Sequence, residues 1–327
     1  MIRDIQNRTK LEQVIPLETP FVCHIEVTNV CNFKCKFCAG IDNPIIDSQK
    51  KGFMEFSLFC KIIDDLCEFD GRLKQLVFHI LGEPLLHPQI AEMIAYAKKK
   101  NVAEKLVLYT NGSRLTPRLS RAIIDAGIDY IQLSIEQVSD EGYEKITRVN
   151  VNYEKLLANI GYLCAYKSKE CTVSAKILDC NLTEREKEKF YEDFQGITTE
   201  CHIETLMQTV SPDVKDTTLG NGRTTTNDGY ETREKKVCTP PFYLLGIFYD
   251  GLVSPCVCDW RKGLIIGDVK INSVKEIWEG KKLKEFRKMQ LANKRCLHPI
   301  CKECEAIYNQ LDDIDQYAEA LLEKITK

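Results

Sequence analysis

The feature that most limits the possible folds is a regular alternation of short apolar and longer amphipathic segments between residues 21 and 206. The apolar segments are rich in β-branched residues, which is typical of strands, and the segments between them have helical periodicity. Residues 183–194, for example, open with the capping-box pattern Thr183-x-x-Glu186. The predicted strands are residues 22–28, 74–81, 105–110, 130–135, 172–178 and 202–206, and the predicted helices are residues 55–67, 88–100, 116–126, 153–166 and 183–194.

This alternation predicts an α/β fold with a parallel sheet, because strand–helix–strand connections within one sheet are right-handed. Six strand–helix units are fewer than a complete eight-stranded barrel needs, so we expect a partial (β/α)6 TIM-like barrel. A flat, doubly wound sheet is the alternative that periodicity leaves open.

The character of the chain changes after the last predicted strand. Residues 211–236 are polar and rich in Thr, Asp and Gly, which indicates a linker or a mobile loop. The length of 327 residues fits one large domain and one smaller domain. We predict an N-terminal segment (1–20), a barrel core (21–210), a linker (211–236), a small C-terminal domain (237–310) and a C-terminal helix (311–327).

Composition excludes several functional classes. Lys and Arg number 45 against 48 Asp and Glu, a net charge of −3 that argues against nucleic-acid binding. No uncharged run is long enough for a membrane span, and the first residues have no apolar core of a signal peptide. We therefore expect a soluble, cytoplasmic protein, in which sixteen cysteines indicate metal binding rather than disulfides.

Three of the cysteines directly follow the first predicted strand. Cys31, Cys35 and Cys38 have the spacing C-x3-C-x2-C, and thiolates are ligands for soft metals. A tetrahedral zinc ion needs a fourth ligand, whereas three cysteines suit a cubane iron–sulfur cluster with one open iron. A structural zinc loop is the alternative.

With Phe37 before its last cysteine, this motif resembles the signature of the radical S-adenosylmethionine enzymes. The resemblance implies a [4Fe–4S] cluster whose open iron is chelated by the amino and carboxylate groups of S-adenosylmethionine. In that family, electron transfer into the sulfonium releases a 5′-deoxyadenosyl radical, which abstracts a hydrogen atom from the substrate. The resemblance also implies an external electron donor that is flavodoxin- or ferredoxin-like.

Other segments at predicted strand ends add to the resemblance. Leu81-Gly82-Glu83-Pro84 resembles the family's Gly-Gly-Glu-Pro stretch, with Leu81 in place of the first glycine, and Tyr109-Thr110-Asn111-Gly112 resembles another family segment. Each segment also has an ordinary explanation as a turn, but together they favour a cofactor site. Ser134 matches a position of ribose contact, and Arg148 matches a partner of the cofactor carboxylate, although Thr147 interrupts the usual Ile-Arg pair. The cofactor contacts implied by the resemblance are Phe37, Gly82, Glu83, Asn111, Ser134 and Arg148.

A second group of cysteines lies beyond the predicted linker, with the pattern Cys238-x12-Gly251-x4-Cys256 and later Cys301-x2-Cys304. It resembles the auxiliary-cluster domains called SPASM and Twitch, and residues 242–253 predict a β-hairpin with Asp250-Gly251 in its turn. Four cysteines suffice for one [4Fe–4S] cluster, although a zinc ribbon has similar spacing. The predicted metal ligands of the two sites are Cys31, Cys35 and Cys38, and Cys238, Cys256, Cys301 and Cys304.

Two of the remaining cysteines are candidate catalytic thiols that donate a hydrogen atom to a substrate radical. Cys180 follows the fifth predicted strand, and Cys258 is adjacent to the auxiliary ligands. His79, His87 and Lys176 are candidates for the lining of the pocket.

The resemblance implies a radical S-adenosylmethionine oxidoreductase that oxidises a sugar-like or cyclitol alcohol by two electrons, assisted by the auxiliary cluster. The first alternative is radical epimerisation or crosslinking of a ribosomal peptide, so the substrate is a small molecule or a peptide. Only about 20 residues precede the first strand, which weakens the thioether-forming version of that alternative. The second alternative is a non-enzymatic iron–sulfur or zinc protein that serves electron transfer or structure.

Overall fold

The structure, a computed structural model, describes residues 9–41, 43–205, 226, 231–302 and 304–326. Its strands are Val22–Ile25 (β1), Leu73–Phe78 (β2), Ala103–Thr110 (β3), Tyr130–Ile135 (β4), Thr172–Asp179 (β5), Glu200–Thr205 (β6), Leu244–Ile247 (β7), Leu252–Ser254 (β8) and Gly267–Asp268 (β9). Its α-helices are Leu11–Val14 (α1), Pro44–Asp47 (α2), Phe56–Leu66 (α3), Ile90–Lys100 (α4), Pro117–Asp125 (α5), Asp140–Thr147 (α6), Tyr153–Tyr166 (α7), Glu184–Phe194 (α8), Val274–Trp278 (α9), Lys281–Leu291 (α10) and Ala318–Thr326 (α11).

All nine strands form one sheet with the order β6-β5-β4-β3-β2-β1-β7-β8-β9. Strands β1 to β6 are parallel to their neighbours, which confirms the predicted parallel α/β core. Strand β7 pairs in parallel with β1, through Val22 beside Leu244 and Ile25 beside Ile247. The C-terminal cysteine region is therefore joined to the barrel core through backbone hydrogen bonds of a common sheet.

The helices cover the sheet because each carries one apolar face. Helix α3 buries Phe59, Ile63 and Leu66, and the Phe59 ring stacks on Phe78 of β2 with centroids 6.0 Å apart. Full burial of one such side chain contributes roughly 1.5–3 kcal/mol. Helix α8 begins with the predicted capping box, in which the Glu186 carboxylate accepts a 2.7 Å hydrogen bond from the Thr183 N–H.

The predicted hairpin is present as β7 and β8, and Gly251 in its turn has a φ of +88°, a conformation that favours glycine. A second apolar cluster joins the two ends of the described chain, because Leu11 and Ile15 pack with Val237, Phe242, Leu291, Ile314, Ala318, Leu321 and Ile325.

The predicted linker falls largely outside the described residues, and the domain boundaries stay predictions. Within the described ranges, no helix combines the length and the apolar character required to cross a membrane.

Candidate active site

A cavity of about 690 Å³ lies at the end of the sheet toward which the parallel strands point. The loop after β1 and the residues after β2, β3 and β4 all contribute to its lining, as expected for a (β/α) barrel. It brings together ten of the candidate residues singled out from the sequence, namely Cys31, Cys35, Phe37, Cys38, His79, Gly82, Glu83, Asn111, Ser134 and Lys176.

The three-cysteine loop is held by the end of helix α6. The backbone N–H groups of Lys34 and Lys36 donate to the carbonyls of Thr147 and Ile146, at 2.9 and 3.0 Å. Burial raises the pKa of the Cys31 thiol to about 12 and the pKa of Cys35 well above its usual range. In the apo form these groups are therefore thiols, and a metal would have to displace their protons.

Gly82 occupies a position that no other residue fits without strain. Its φ is +80°, and a Cβ atom there would lie 2.5 Å from the Thr28 carbonyl oxygen and 2.8 Å from that of Val30. Leu81, which replaces the glycine usual in the resembled stretch, faces Gly40 just after the cysteine loop, since a Cβ at Gly40 would lie 3.1 Å from Leu81.

We expect Gly82→Ala to destabilise the protein by roughly 1–3 kcal/mol, because alanine would need a strained backbone and would overlap the Thr28 carbonyl. The matched control is Gly161→Ala within α7, where a Cβ would meet nothing within 4 Å. That change should stabilise the helix by roughly 0.5–1 kcal/mol. Urea denaturation of both variants checks the pair, and equal stability of Gly82→Ala and the parent would contradict this description of the loop.

Glu83 organises the neighbouring strand end. Its carboxylate accepts hydrogen bonds from Thr110 Oγ1 at 2.6 Å, the Asn111 N–H at 2.7 Å and the Leu85 N–H at 2.9 Å. Burial raises the pKa of Glu83 to about 7, although these three bonds act in the opposite direction. Because its lone pairs are engaged internally, Glu83 positions the Asn111 backbone at the edge of the cavity.

A network of amides connects the cysteine loop to the end of β3. Asn111 Nδ2 donates to Asn32 Oδ1 at 3.2 Å, and Asn32 Nδ2 donates to Ser113 Oγ at 2.8 Å. The Ser113 hydroxyl in turn donates to Asn111 Oδ1 at 2.7 Å. The sequence reasoning missed Asn32 and Ser113, and only their positions beside recognised motif residues could have suggested them.

Charged side chains from β4, β5 and β6 complete the lining. Lys176 Nζ lies 2.7 Å from Glu204 Oε2, and His202 Nε2 lies 3.3 Å from Glu204 Oε1. Burial opposes ionisation of Glu204, but these partners hold its pKa at about 2. Burial raises the pKa of Glu136 to about 7, with Lys176 opposing the shift. The cavity thus offers a firmly anionic carboxylate at Glu204, whereas burial raises the pKa of Glu136, like that of Glu83, to about 7.

Apart from the auxiliary group of cysteines, three predicted residues lie outside the lining of this cavity, and one of them, His87, is buried with its Nε2 2.9 Å from the Met54 carbonyl oxygen. Arg148 is exposed at the end of α6, in the left-handed conformation with φ of +57°. Cys180 is 8% exposed and packs with Ile146, Phe37 and Leu178. Burial raises the pKa of Cys180 to about 12. A catalytic role for Cys180 gains no support from this position, and a cofactor contact for Arg148 stays a prediction.

The second cysteine group lines a separate cavity, which contains Cys238, Cys256, Cys301 and Cys304 together with Cys258. The buried side chain of Gln290 supports this set, because it accepts a 3.3 Å hydrogen bond from the Cys238 N–H and lies 4.0 Å from Cys301 Sγ. Cys258 therefore faces the auxiliary cysteines rather than the large cavity. Cys296 is exposed and belongs to neither lining.

Both groups of thiols have the ligand chemistry of a metal centre. Among the residues that the structure describes, no three His, Cys, Asp or Glu side chains are placed to hold one metal ion. A tetrahedral zinc site gathers its ligands around one centre, whereas an iron–sulfur cluster takes one cysteine at each iron. The three thiols of the first group match a cluster with one open iron, and the four chosen thiols of the second group match a complete cubane.

A partial (β/α) barrel with a three-cysteine loop at its strand ends, joined to a second cysteine-lined cavity, defines an iron–sulfur enzyme. The sequence profile of the Radical SAM superfamily matches residues 25–194, and that of an iron–sulfur cluster-binding domain, SPASM, matches residues 238–305. The chain belongs to the radical S-adenosylmethionine superfamily. These two domains imply S-adenosylmethionine and two [4Fe–4S] clusters, as predicted.

Among curated proteins, the chain is 21% identical over 296 residues to the S-adenosyl-L-methionine-dependent 2-deoxy-scyllo-inosamine dehydrogenase of Niallia circulans. That match covers 90% of this chain and 96% of the relative. Two relatives with higher identity, 32% and 34%, are matched over only 30% and 42% of their own length.

Solved structures share the fold. BtrN in complex with AdoMet and 2-DOIA has a TM-score of 0.56 at 19% identity, with 90% of this chain and 97% of that chain covered. Streptococcus suis SuiB bound to the precursor peptide SuiA has a TM-score of 0.65 at 12% identity, with 90% and 73% covered. These likenesses confirm the partial barrel.

Proposed function

We propose that this radical S-adenosylmethionine enzyme oxidises a sugar-like or cyclitol alcohol by two electrons, to the ketone. The observation that carries the proposal is that one large cavity lies beside both groups of cysteines. Cys31, Cys35 and Cys38 line the cavity itself, and Trp260 lines both this cavity and the cavity of the auxiliary cysteines. Near full-length similarity to a cyclitol dehydrogenase supports this choice of substrate class.

The cofactors, when bound, supply one-electron chemistry: a 5′-deoxyadenosyl radical from S-adenosylmethionine at the first cluster, and an electron acceptor at the auxiliary cluster. The residues of this chain do the rest. Cys31, Cys35 and Cys38 would hold the first cluster, and Asn111 and Ser134 would contact the cofactor. We assign the Glu136 carboxylate to receive the hydroxyl proton of the alcohol, since it lines the cavity and its pKa of about 7 suits proton transfer near neutral pH. An external flavodoxin- or ferredoxin-like donor would supply the electron for cleavage.

Dehydrogenation is favoured over epimerisation by the lining of the cavity. Epimerisation requires a thiol that returns a hydrogen atom to the substrate radical. Among the described residues, the cysteines that line the large cavity are Cys31, Cys35 and Cys38, the three that we assign to the cluster. Neither Cys180 nor Cys258 reaches that lining, so a peptide epimerase finds less support than an alcohol oxidase.

Anaerobic turnover with alcohols that carry deuterium at the carbinol carbon tests the proposal. The reconstituted enzyme, S-adenosylmethionine and dithionite are incubated with 2-deoxy-scyllo-inosamine and a panel of related cyclitols and sugars. We expect at least one alcohol to yield its ketone and to transfer deuterium into 5′-deoxyadenosine. Formation of unlabelled 5′-deoxyadenosine with every alcohol, and of no ketone, would refute the assigned reaction.

A further inference from the structure

Trp260 is the one residue, among those that the structure describes, that lines both the large cavity and the auxiliary cavity. It lies two residues after Cys258 in the chain and is partly exposed. The indole is thus part of the wall between the two cysteine sites. Any occupant of the large cavity that approaches the auxiliary cysteines meets this ring.

The loop that carries Trp260 is fixed from both sides. The buried Asp259 carboxylate accepts hydrogen bonds from the Gly263 and Leu264 N–H groups, each at 2.8 Å, and from Ser254 Oγ at 3.1 Å. The Trp260 carbonyl accepts a 2.8 Å hydrogen bond from Gln49 Nε2, just beyond helix α2. A loop fixed in this way holds the indole ring in position before a ligand binds, so the ring can serve as a contact surface.

The topology places a polar group at the other side of the same cavity. Glu204 belongs to β6 and Trp260 follows β8, and these strands lie near opposite ends of the sheet order. Both residues nevertheless line one cavity, so the sheet curves to bring its two edges together. An occupant therefore lies between the Lys176–Glu204 ion pair and the indole.

We propose that Trp260 is a specificity-determining residue that stacks on the C–H face of a saturated, polyhydroxylated substrate ring. This inference rests on the proposed function and deepens it. An indole presents a flat apolar surface, which complements the axial C–H bonds of a cyclitol or pyranose ring. Lys176 and Glu204 would then engage the hydroxyl or amino groups at the ring edge, because a buried ion pair offers both a donor and an acceptor.

The test measures binding apart from turnover. The holoenzyme is first saturated with S-adenosylmethionine in the absence of reductant. It is then titrated calorimetrically with 2-deoxy-scyllo-inosamine and with the same panel of cyclitols and sugars, which gives the Kd of each. For the ring that binds best, we expect Trp260→Ala to raise the Kd by about ten-fold or more. The Kd of Trp260→Phe should stay within about three-fold of that of the parent. Tyr191→Ala on α8, an exposed aromatic outside both cavities, is the matched control and should leave the Kd unchanged.

The iron content of each variant accompanies the titration, because loss of the auxiliary cluster from both Trp260 variants would indicate a purely structural role and overturn the inference. An unchanged Kd in Trp260→Ala, or no binding of any ring to the parent, would overturn it as well. A ring that binds through Trp260 but is never oxidised when reductant is added refutes the proposed reaction and leaves the stacking contact standing.

Discussion

Cys35→Ala is expected to abolish formation of 5′-deoxyadenosine, with a loss of more than about 1,000-fold, and to remove roughly four iron atoms per chain. Cys35 is the most buried thiol of the first loop, and it lies between two other cysteines that line the same cavity. Two remaining thiols cannot hold three irons of a cubane cluster, so the site for the cofactor would be lost with the metal. Anaerobic reconstitution, iron analysis and chromatography of the products check both expectations.

The matched control is Cys67→Ala, which removes an exposed thiol at the end of α3, away from both cavities. It should keep the full iron content and the full rate of 5′-deoxyadenosine formation. If Cys35→Ala still cleaved S-adenosylmethionine at a rate near that of the parent, the loop at residues 31–38 would not hold the first cluster.

Cys301→Ala should remove the auxiliary cluster and leave the first cluster in place. Cys301 lines the auxiliary cavity next to Gln290 and contributes nothing to the lining of the large cavity. We expect the variant to lose roughly four iron atoms and to form oxidised product at least about 100-fold more slowly. Cleavage of S-adenosylmethionine should persist within about ten-fold, because the first loop and its supporting hydrogen bonds are untouched.

Alanine variants of two other cysteines are the controls for this experiment. Cys296→Ala removes an exposed thiol five residues earlier and should behave as the parent does. Cys258→Ala removes the fifth thiol of the auxiliary cavity, and we expect it to retain both clusters. Loss of the auxiliary iron from Cys258→Ala but not from Cys301→Ala would show that the four ligands were chosen wrongly.

The local pattern of the sequence was sufficient for the elements of the core. The predicted strand at residues 130–135 and the predicted helix at residues 153–166 match β4 and α7 at both ends. The first strand was predicted too long, because the chain leaves the sheet after Ile25 to form the cysteine loop. Residues 26–28 continue the alternation of polar and apolar side chains, so periodicity gives no signal that the strand ends at Ile25.

Contacts between distant segments could not be predicted in the same way. The parallel pairing of β1 with β7 joins segments that are more than 200 residues apart in the chain. Neither segment has a sequence feature that indicates which strand it pairs with. Helix α6 was missed, although its end binds the cysteine loop through the Thr147 and Ile146 carbonyls. Thr147, which interrupts the resembled motif, is fully buried and donates to the Tyr143 carbonyl at 2.8 Å, a role that only packing reveals.

The candidate site, too, could be predicted from the sequence only in part. Spacing was enough to single out the loop with Cys31, Cys35 and Cys38, because ligand chemistry imposes short intervals on the chain. The second group of cysteines, which is spread over residues 238–304, was singled out by its resemblance to a known domain. Trp260 was not noticed, since a single tryptophan in a loop carries no pattern. Its position between two cavities follows from the curvature of the sheet, which is a property of the whole fold.

Electron paramagnetic resonance of the reduced, reconstituted protein, combined with iron and sulfide analysis, tests the central claim most directly. The claim is that two [4Fe–4S] clusters flank one cavity and that only the first has an open iron. We predict roughly eight iron and eight sulfide per chain, and a signal of which one part alone changes when S-adenosylmethionine is added. Stoichiometric zinc in place of iron, or a signal that S-adenosylmethionine leaves entirely unchanged, would contradict the claim.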